Sequence, residues 1–235
     1  MIQCKIISVN PSLDSFKSTQ EFGQQTDNNG IKQRYIKRRQ KMENFVKAQT
    51  SDKVNITLFD AVTPNDFTLD EHAVHFNERT FVRSEQSSFY ISNTLSHYQI
   101  WNIHEDTLIF EDDIILTNEL IKSTICLIHE FKHLNRKNSI LYLQRSVPWL
   151  MNVEKDIFLD TQISDELCIS TNTDFSGTAA YYITKETKQF LLSNIKPIVA
   201  CDKYLADMMR AGLLEYCIPT NKSKMFFLDQ ETMWM

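Results

Sequence analysis

Long hydrophobic runs are what this 235-residue chain most obviously lacks. Nothing approaches the roughly 18 consecutive apolar residues that a membrane-spanning helix requires. The opening residues, MIQCKIISVN, contain no extended apolar segment either, so they read as a first strand and not as a signal peptide. Five cysteines (Cys4, Cys126, Cys168, Cys201, Cys217) are scattered, odd in number and without a Cys-x-x-Cys pair. That spacing offers no zinc site and reads as reduced thiols in a reducing compartment. Glycine is scarce, at four residues, so each one draws notice. Internal repeats and linker-like stretches are absent as well, and the whole of 1–235 reads as a single domain. Basic patches interleaved with aromatics are missing and the net charge is −5, which argues against nucleic acid as a partner.

What is present is ordinary in bulk and uneven in detail. Hydrophobic residues make up 42% and charged residues 23%, enough apolar content for a real core at this length. Between residues 32 and 47 stand seven basic residues (Lys32, Arg34, Lys37, Arg38, Arg39, Lys41, Lys47) against one acid, Glu43. Such a segment suits an anionic partner, a diphosphate or an acidic membrane surface. The plainer expectation, and the one favoured here, is a solvated helix face.

Periodicity and turn chemistry predict alternating strands and helices. Strands are expected at Cys4–Val9, Ile56–Val62, the run leading into Glu111, Ser139–Gln144, Thr178–Thr184 and Leu214–Pro219. Helices are expected at Ile31–Ala48, at 86–104, at Asn118–Leu134, at Lys185–Ser193 and at Asp202–Ala211, the last stopped by Gly212. Residues 14–30 read as a loop, Thr68–Glu71 has capping-box spacing, and 153–174 reads as one long polar loop. The alternation predicts an α/β sheet with helices on its faces.

The most informative stretch is Thr107–Leu116, TLIFEDDIIL, in which three carboxylates sit between two apolar runs. The runs read as a buried strand and its sequel. Adjacent carboxylates bounded by buried segments repel one another and are costly to desolvate unless a cation sits among them. A hard divalent ion such as Mg²⁺ meets that need with carboxylate oxygens and substrate phosphates. The alternative is a solvated acidic turn. At the carboxyl end of a strand in such a sheet, where ligands bind, the functional reading gains weight.

These residues, taken in order, resemble a known family. Leu95-Ser96-His97, Trp101 and Leu108–Asp113 look like the core of glycosyltransferase family 25, which includes lipooligosaccharide and procollagen galactosyltransferases. Ser176–Tyr181 is similar to its Gly-Thr-x-Ala-Tyr strand, Phe190-Leu191-Leu192 and Asp202 to its later elements, Phe59–Val62 and Val9-Asn10 to its early ones. The chain departs from the pattern just before Leu95, where Phe89, Tyr90, Ser92 and Asn93 replace a Gly-Glu-x-Gly-Cys stretch, and around Asn10–Leu13.

The resemblance implies a GT-A-type sheet, a nucleotide-diphosphate sugar donor, commonly UDP-galactose, and a glycan or glycolipid acceptor. It also implies an inverting transfer of a hexose with Mn²⁺ or Mg²⁺, and a cytoplasmic enzyme making peripheral contact with a membrane. In that reading Asp113 ligates the metal, with Glu111 as second ligand or ribose contact. Asp112, His97, Gly177, Thr178, Asn10 and Asp60 belong to the substrate site. Asp202 is the candidate base, or else a helix N-cap, and Asp174 a further acidic candidate. Trp101 and Tyr98 read as core. A catalytically silent sugar-nucleotide binder on the same fold, or a metal-assisted phosphate-ester enzyme, are the rival readings.

Overall fold

A computed structural model describes residues 1–11, 28–49, 52–63, 66, 84–144, 161–170, 177–194 and 200–228. Eight strands form one sheet: β1 (Ile2–Ser8), β2 (Val54–Asp60), β3 (Thr107–Glu111), β4 (Ser139–Tyr142), β5 (Thr161–Gln162), β6 (Leu167–Ile169), β7 (Ala180–Ile183) and β8 (Glu215–Pro219). Their order across the sheet is β2-β1-β3-β7-β4-β8-β6-β5. The β1–β2, β1–β3 and β4–β8 pairs are parallel; β7 runs antiparallel to both β3 and β4. The fold class is therefore α/β, as expected, with a mixed sheet.

The central strands are apolar on both faces because helices cover both. In β3, Leu108, Ile109 and Phe110 are all fully buried. The pleat sends Ile109 to one side, with Tyr142, Tyr181 and Ile183, and Leu108 and Phe110 to the other, with Leu141 and Tyr182. The first side packs against α2 (Ser84–Trp101), α4 (Lys185–Ser193) and α5 (Cys201–Arg210). The second packs against α1 (Asn28–Ala48) and α3 (Asn118–His133), through Met42, Ile121, Ile125, Ile128 and Phe131. Thr117 caps α3, its hydroxyl accepting from the Leu120 N–H. Trp101 and Tyr98 lie in the core as expected. Lys188 of α4 is buried, and its ammonium donates to the carbonyls of Ile100 and Ile103 and to Thr107, joining α4 to the end of α2 and the start of β3.

Three expectations change. The sequel to the acidic triplet is no strand: Ile114 makes only an isolated bridge to Leu228. The polar stretch expected to be one long loop contains β5 and β6, a short antiparallel hairpin that extends the sheet alongside β8. Only two and three residues long, these strands are too brief to show period-2 alternation. Helix α1 starts at Asn28, inside the expected loop. Thr68–Glu71 and Asp174 lie outside the described residues.

Candidate active site at the strand ends

The carboxyl ends of β1 and β3 meet at one edge of the sheet, with Ile7 in register with Glu111. Because β7 is antiparallel to β3 and pairs Ala180 with Phe110, the residues leading into β7, Gly177 to Ala179, arrive at the same edge. A cavity of about 580 Å³ opens there. Its wall includes Glu111, Asp112, Asp113, Gly177, Thr178 and Asp202, so six of the residues singled out in the sequence are brought together. Sequence distance hid this: Gly177 joins the acidic triplet because the antiparallel strand begins at this edge, and Asp202 because the first turn of α5 lies against Gly177.

The three carboxylates differ in their surroundings. One oxygen of Glu111, Oε1, accepts from Thr178 Oγ1 at 2.7 Å, from His97 Nε2 at 3.1 Å and from Asn93 Nδ2 at 3.2 Å. Burial pushes this carboxyl up, but those bonds outweigh it and hold the group below the ordinary glutamate range. Asp112 is buried; Ser8 donates to its Oδ2 at 2.7 Å, and Arg38 Nη1 stands 3.5 Å from its Oδ1. Its pKa is raised by burial, against the lowering charge of Arg38. Asp113 is different: its Oδ1 is buried and has no hydrogen-bond partner among the described residues. Burial, reinforced by the neighbouring Glu111 charge, pushes its pKa up to about 7.

That orphaned oxygen is the feature that fits a divalent cation. Mg²⁺-type sites commonly use one or two carboxylates, with water and substrate phosphates completing the shell. Among the described residues no three His, Cys, Asp or Glu side chains converge as a metal cage. Asp113 therefore fits as a single protein ligand, while Glu111, with Oε1 already shared by three donors, has only Oε2 left for a ligand.

His97 stands behind the wall and not on it. The ring is fully buried, with Nδ1 2.8 Å from the Tyr181 hydroxyl and Nε2 on Glu111. Trp101 Nε1 donates to the same Tyr181 oxygen at 2.9 Å. One assignment uses every donor: Trp101 N–H to Tyr181, Tyr181 O–H to His97 Nδ1, His97 Nε2–H to Glu111. The expected polar contact of His97 with a donor is thus replaced by contact with the carboxylate that faces the cavity.

Asp202 is not the N-cap of α5. That position belongs to Ala200, which makes no side-chain cap bond, and Asp202 sits in the first turn. Its Oδ2 accepts from the Gly177 N–H at 3.1 Å and its Oδ1 from the Lys203 N–H at 2.7 Å. Asn10 and Asp60 lie apart from the cavity wall. Asn10 Nδ2 reaches Asp60 Oδ2 at 3.3 Å, and Asp60 pairs with Arg39 at 2.6 Å.

Reasoning from sequence missed several wall residues. Arg38, expected on a solvated face, has a side chain only 14% exposed and lines the cavity beside Tyr35. The i, i+3 spacing of those two on α1 was the available signal. Ser8 was one more strand residue, and Ser92 and Asn93 were noted only as departures from a pattern.

A cavity at the carboxyl ends of strands is where ligands bind in α/β sheets. Residues 33–209 match the profile of glycosyltransferase family 25, described as LPS biosynthesis protein, and the chain belongs to that family. It is a glycosyltransferase, an enzyme that moves a sugar from a donor to a glycan acceptor, and its flanked sheet is consistent with a glycosyltransferase fold. No curated protein matches the chain. No helix among the described residues is long and apolar enough to cross a membrane.

Proposed function

We propose that the cavity binds a nucleotide-diphosphate sugar and that the enzyme transfers a hexose, galactose first among candidates, to a glycan hydroxyl with inversion. The observation that carries this reading is the placement of Asp202 and the acidic turn on one cavity wall, in a chain of this family. In the reaction the acceptor oxygen attacks the anomeric carbon as the bond to the diphosphate breaks, and the hydroxyl proton passes to the Asp202 carboxylate. The Gly177 and Lys203 N–H groups orient that carboxylate. Asp113 would hold Mn²⁺ or Mg²⁺, which supplies positive charge to the departing diphosphate. Glu111, fixed by Thr178, Asn93 and His97, serves the ribose or sugar hydroxyls. The acceptor is a glycan or glycolipid, of the lipooligosaccharide kind or borne on a protein. The site lies in a cytoplasmic enzyme that rests peripherally on a membrane.

A two-metal phosphate-ester enzyme would need a second carboxylate cluster, and the described residues offer no support for one.

The test is thermal stabilisation by nucleoside mono- and diphosphates and their sugars, with Mn²⁺ and with EDTA. A ligand that binds only the folded state raises the midpoint according to its affinity. A Mn²⁺-dependent shift with a nucleoside diphosphate or its sugar, lost in Asp113→Ala, is expected. Absence of any nucleotide shift would overturn the reading.

A further inference from the structure

We propose that Arg38 recognises the donor diphosphate and that Asp112 serves as its counter-ion, not as a metal ligand. The inference rests on the cavity being the nucleotide-sugar site. It divides the acidic triplet into three tasks, one per residue.

The basic run on α1 is not uniform. Arg39 is tied to the outer edge, to Glu43 at 3.2 Å, to the Ser8 carbonyl at 3.3 Å and to Asp60 at 2.6 Å. Arg38 is the cation on the cavity wall among the described residues. A diphosphate entering this cavity meets three carboxylates, and a single divalent ion on Asp113 leaves negative charge to be met. A guanidinium presents a planar fork of N–H donors that matches phosphate oxygens, which an ammonium does not.

Asp112 is placed to hold that fork. Its Oδ2 is engaged by the Ser8 hydroxyl, which ties the carboxylate to the end of β1. Its Oδ1 lies 3.5 Å from Arg38 Nη1, longer than the roughly 2.7–2.9 Å of a charge-assisted hydrogen bond. A pair at that distance holds the guanidinium at the cavity wall. Removing one member of such a buried pair leaves the other uncompensated, so Asp112 positions Arg38 instead of competing for metal.

The experiment is calorimetric titration with whichever nucleoside diphosphate gives the largest thermal shift, and with its monophosphate, in EDTA and in Mn²⁺. In EDTA the wild type should prefer the diphosphate. Arg38→Gln should reduce that preference about tenfold or more, while monophosphate binding changes by no more than about twofold. Asp112→Asn should keep the Mn²⁺ enhancement that Asp113→Asn loses. An unchanged preference in Arg38→Gln, or loss of the Mn²⁺ enhancement in Asp112→Asn, would overturn the inference. If Arg38→Gln fails to fold, Arg38→Lys keeps the charge without the fork, and an unchanged preference there overturns it equally. Failure of the wild type to bind any nucleotide would instead sink the nucleotide-sugar reading itself.

Discussion

The main-chain N–H of Gly177 donates to Oδ2 of Asp202 at 3.1 Å, and the next residue, Thr178, donates its hydroxyl to Glu111 at 2.7 Å. One dipeptide thus links the carboxylate at the end of β3 to the one in the first turn of α5. Anything that displaces it moves both.

Gly177 is open to a direct check. Its φ is +94°, and a Cβ there would stand 2.5 Å from the Gln144 amide nitrogen, whose side-chain oxygen is engaged by the Ala179 N–H. Gly177→Ala therefore meets backbone strain and a collision together, at a cost of roughly 2–4 kcal/mol. Gly212 has φ +68° with nothing within 4 Å of a new Cβ, so Gly212→Ala costs only about 1 kcal/mol. Urea denaturation of the two variants should rank them in that order, and only Gly177→Ala should also depress transferase activity.

Asp202→Asn separates a base from a structural carboxylate. The amide keeps an acceptor for one of the two N–H groups but takes no proton at neutral pH. As a base, Asp202 is worth about 10²–10⁴ in kcat. That loss should appear with donor affinity little changed. A variant of reduced stability but normal kcat would assign the side chain to the helix start alone.

Asp113 gives the protein a pH signature. Its pKa is raised to about 7 in the folded state. Between roughly pH 4, where the unfolded carboxyl titrates, and pH 7, the folded protein keeps a proton that the unfolded chain has released. The group's contribution to stability therefore falls as pH rises through that window and stays low above it. Asp113→Asn should be near neutral at pH 4 and stabilising by on the order of 2–4 kcal/mol at pH 8, without metal. A difference in melting temperature that does not vary with pH would refute it.

Tyr181→Phe tests the chain behind Glu111. The hydroxyl accepts from Trp101 and contacts His97, and all three side chains are buried. Its removal strands the Trp101 N–H and one histidine nitrogen, which should cost about 1–3 kcal/mol in denaturant titration. Activity should fall less than in Glu111→Gln, since Tyr181 does not line the cavity.

Much of the architecture was legible from sequence, for physical reasons that differ by element. Helix α3 could be placed because Ile121, Ile125, Ile128 and Phe131 repeat at helical spacing behind the capping Thr117. Strand β3 could be placed because an unbroken apolar run ends abruptly in charge. The β5–β6 hairpin escaped notice: its pairing partner is β8, about fifty residues on, and Thr161 and Gln162 are exposed. Arg38 was misjudged because charge neighbours in sequence are not neighbours in space. Six other cations share residues 32–47 with it, yet it forms an ion pair with Asp112, seventy-four residues away.

By itself the sequence determined the α/β class, the acidic turn at a strand end and the family, since these depend on hydrophobic period, local composition and ordered motifs. Tertiary structure alone decided what surrounds each acid. The antiparallel placement of β7 brings Gly177 and Thr178 to Glu111, and the first turn of α5 sets Asp202 on the Gly177 N–H. The end of β1 and the face of α1 set Ser8 and Arg38 against Asp112, while Asp113 keeps an oxygen with no hydrogen-bond partner among the described residues. Three adjacent carboxylates are chemically alike in sequence; they become different only when packing gives each its own neighbours and its own distance from water.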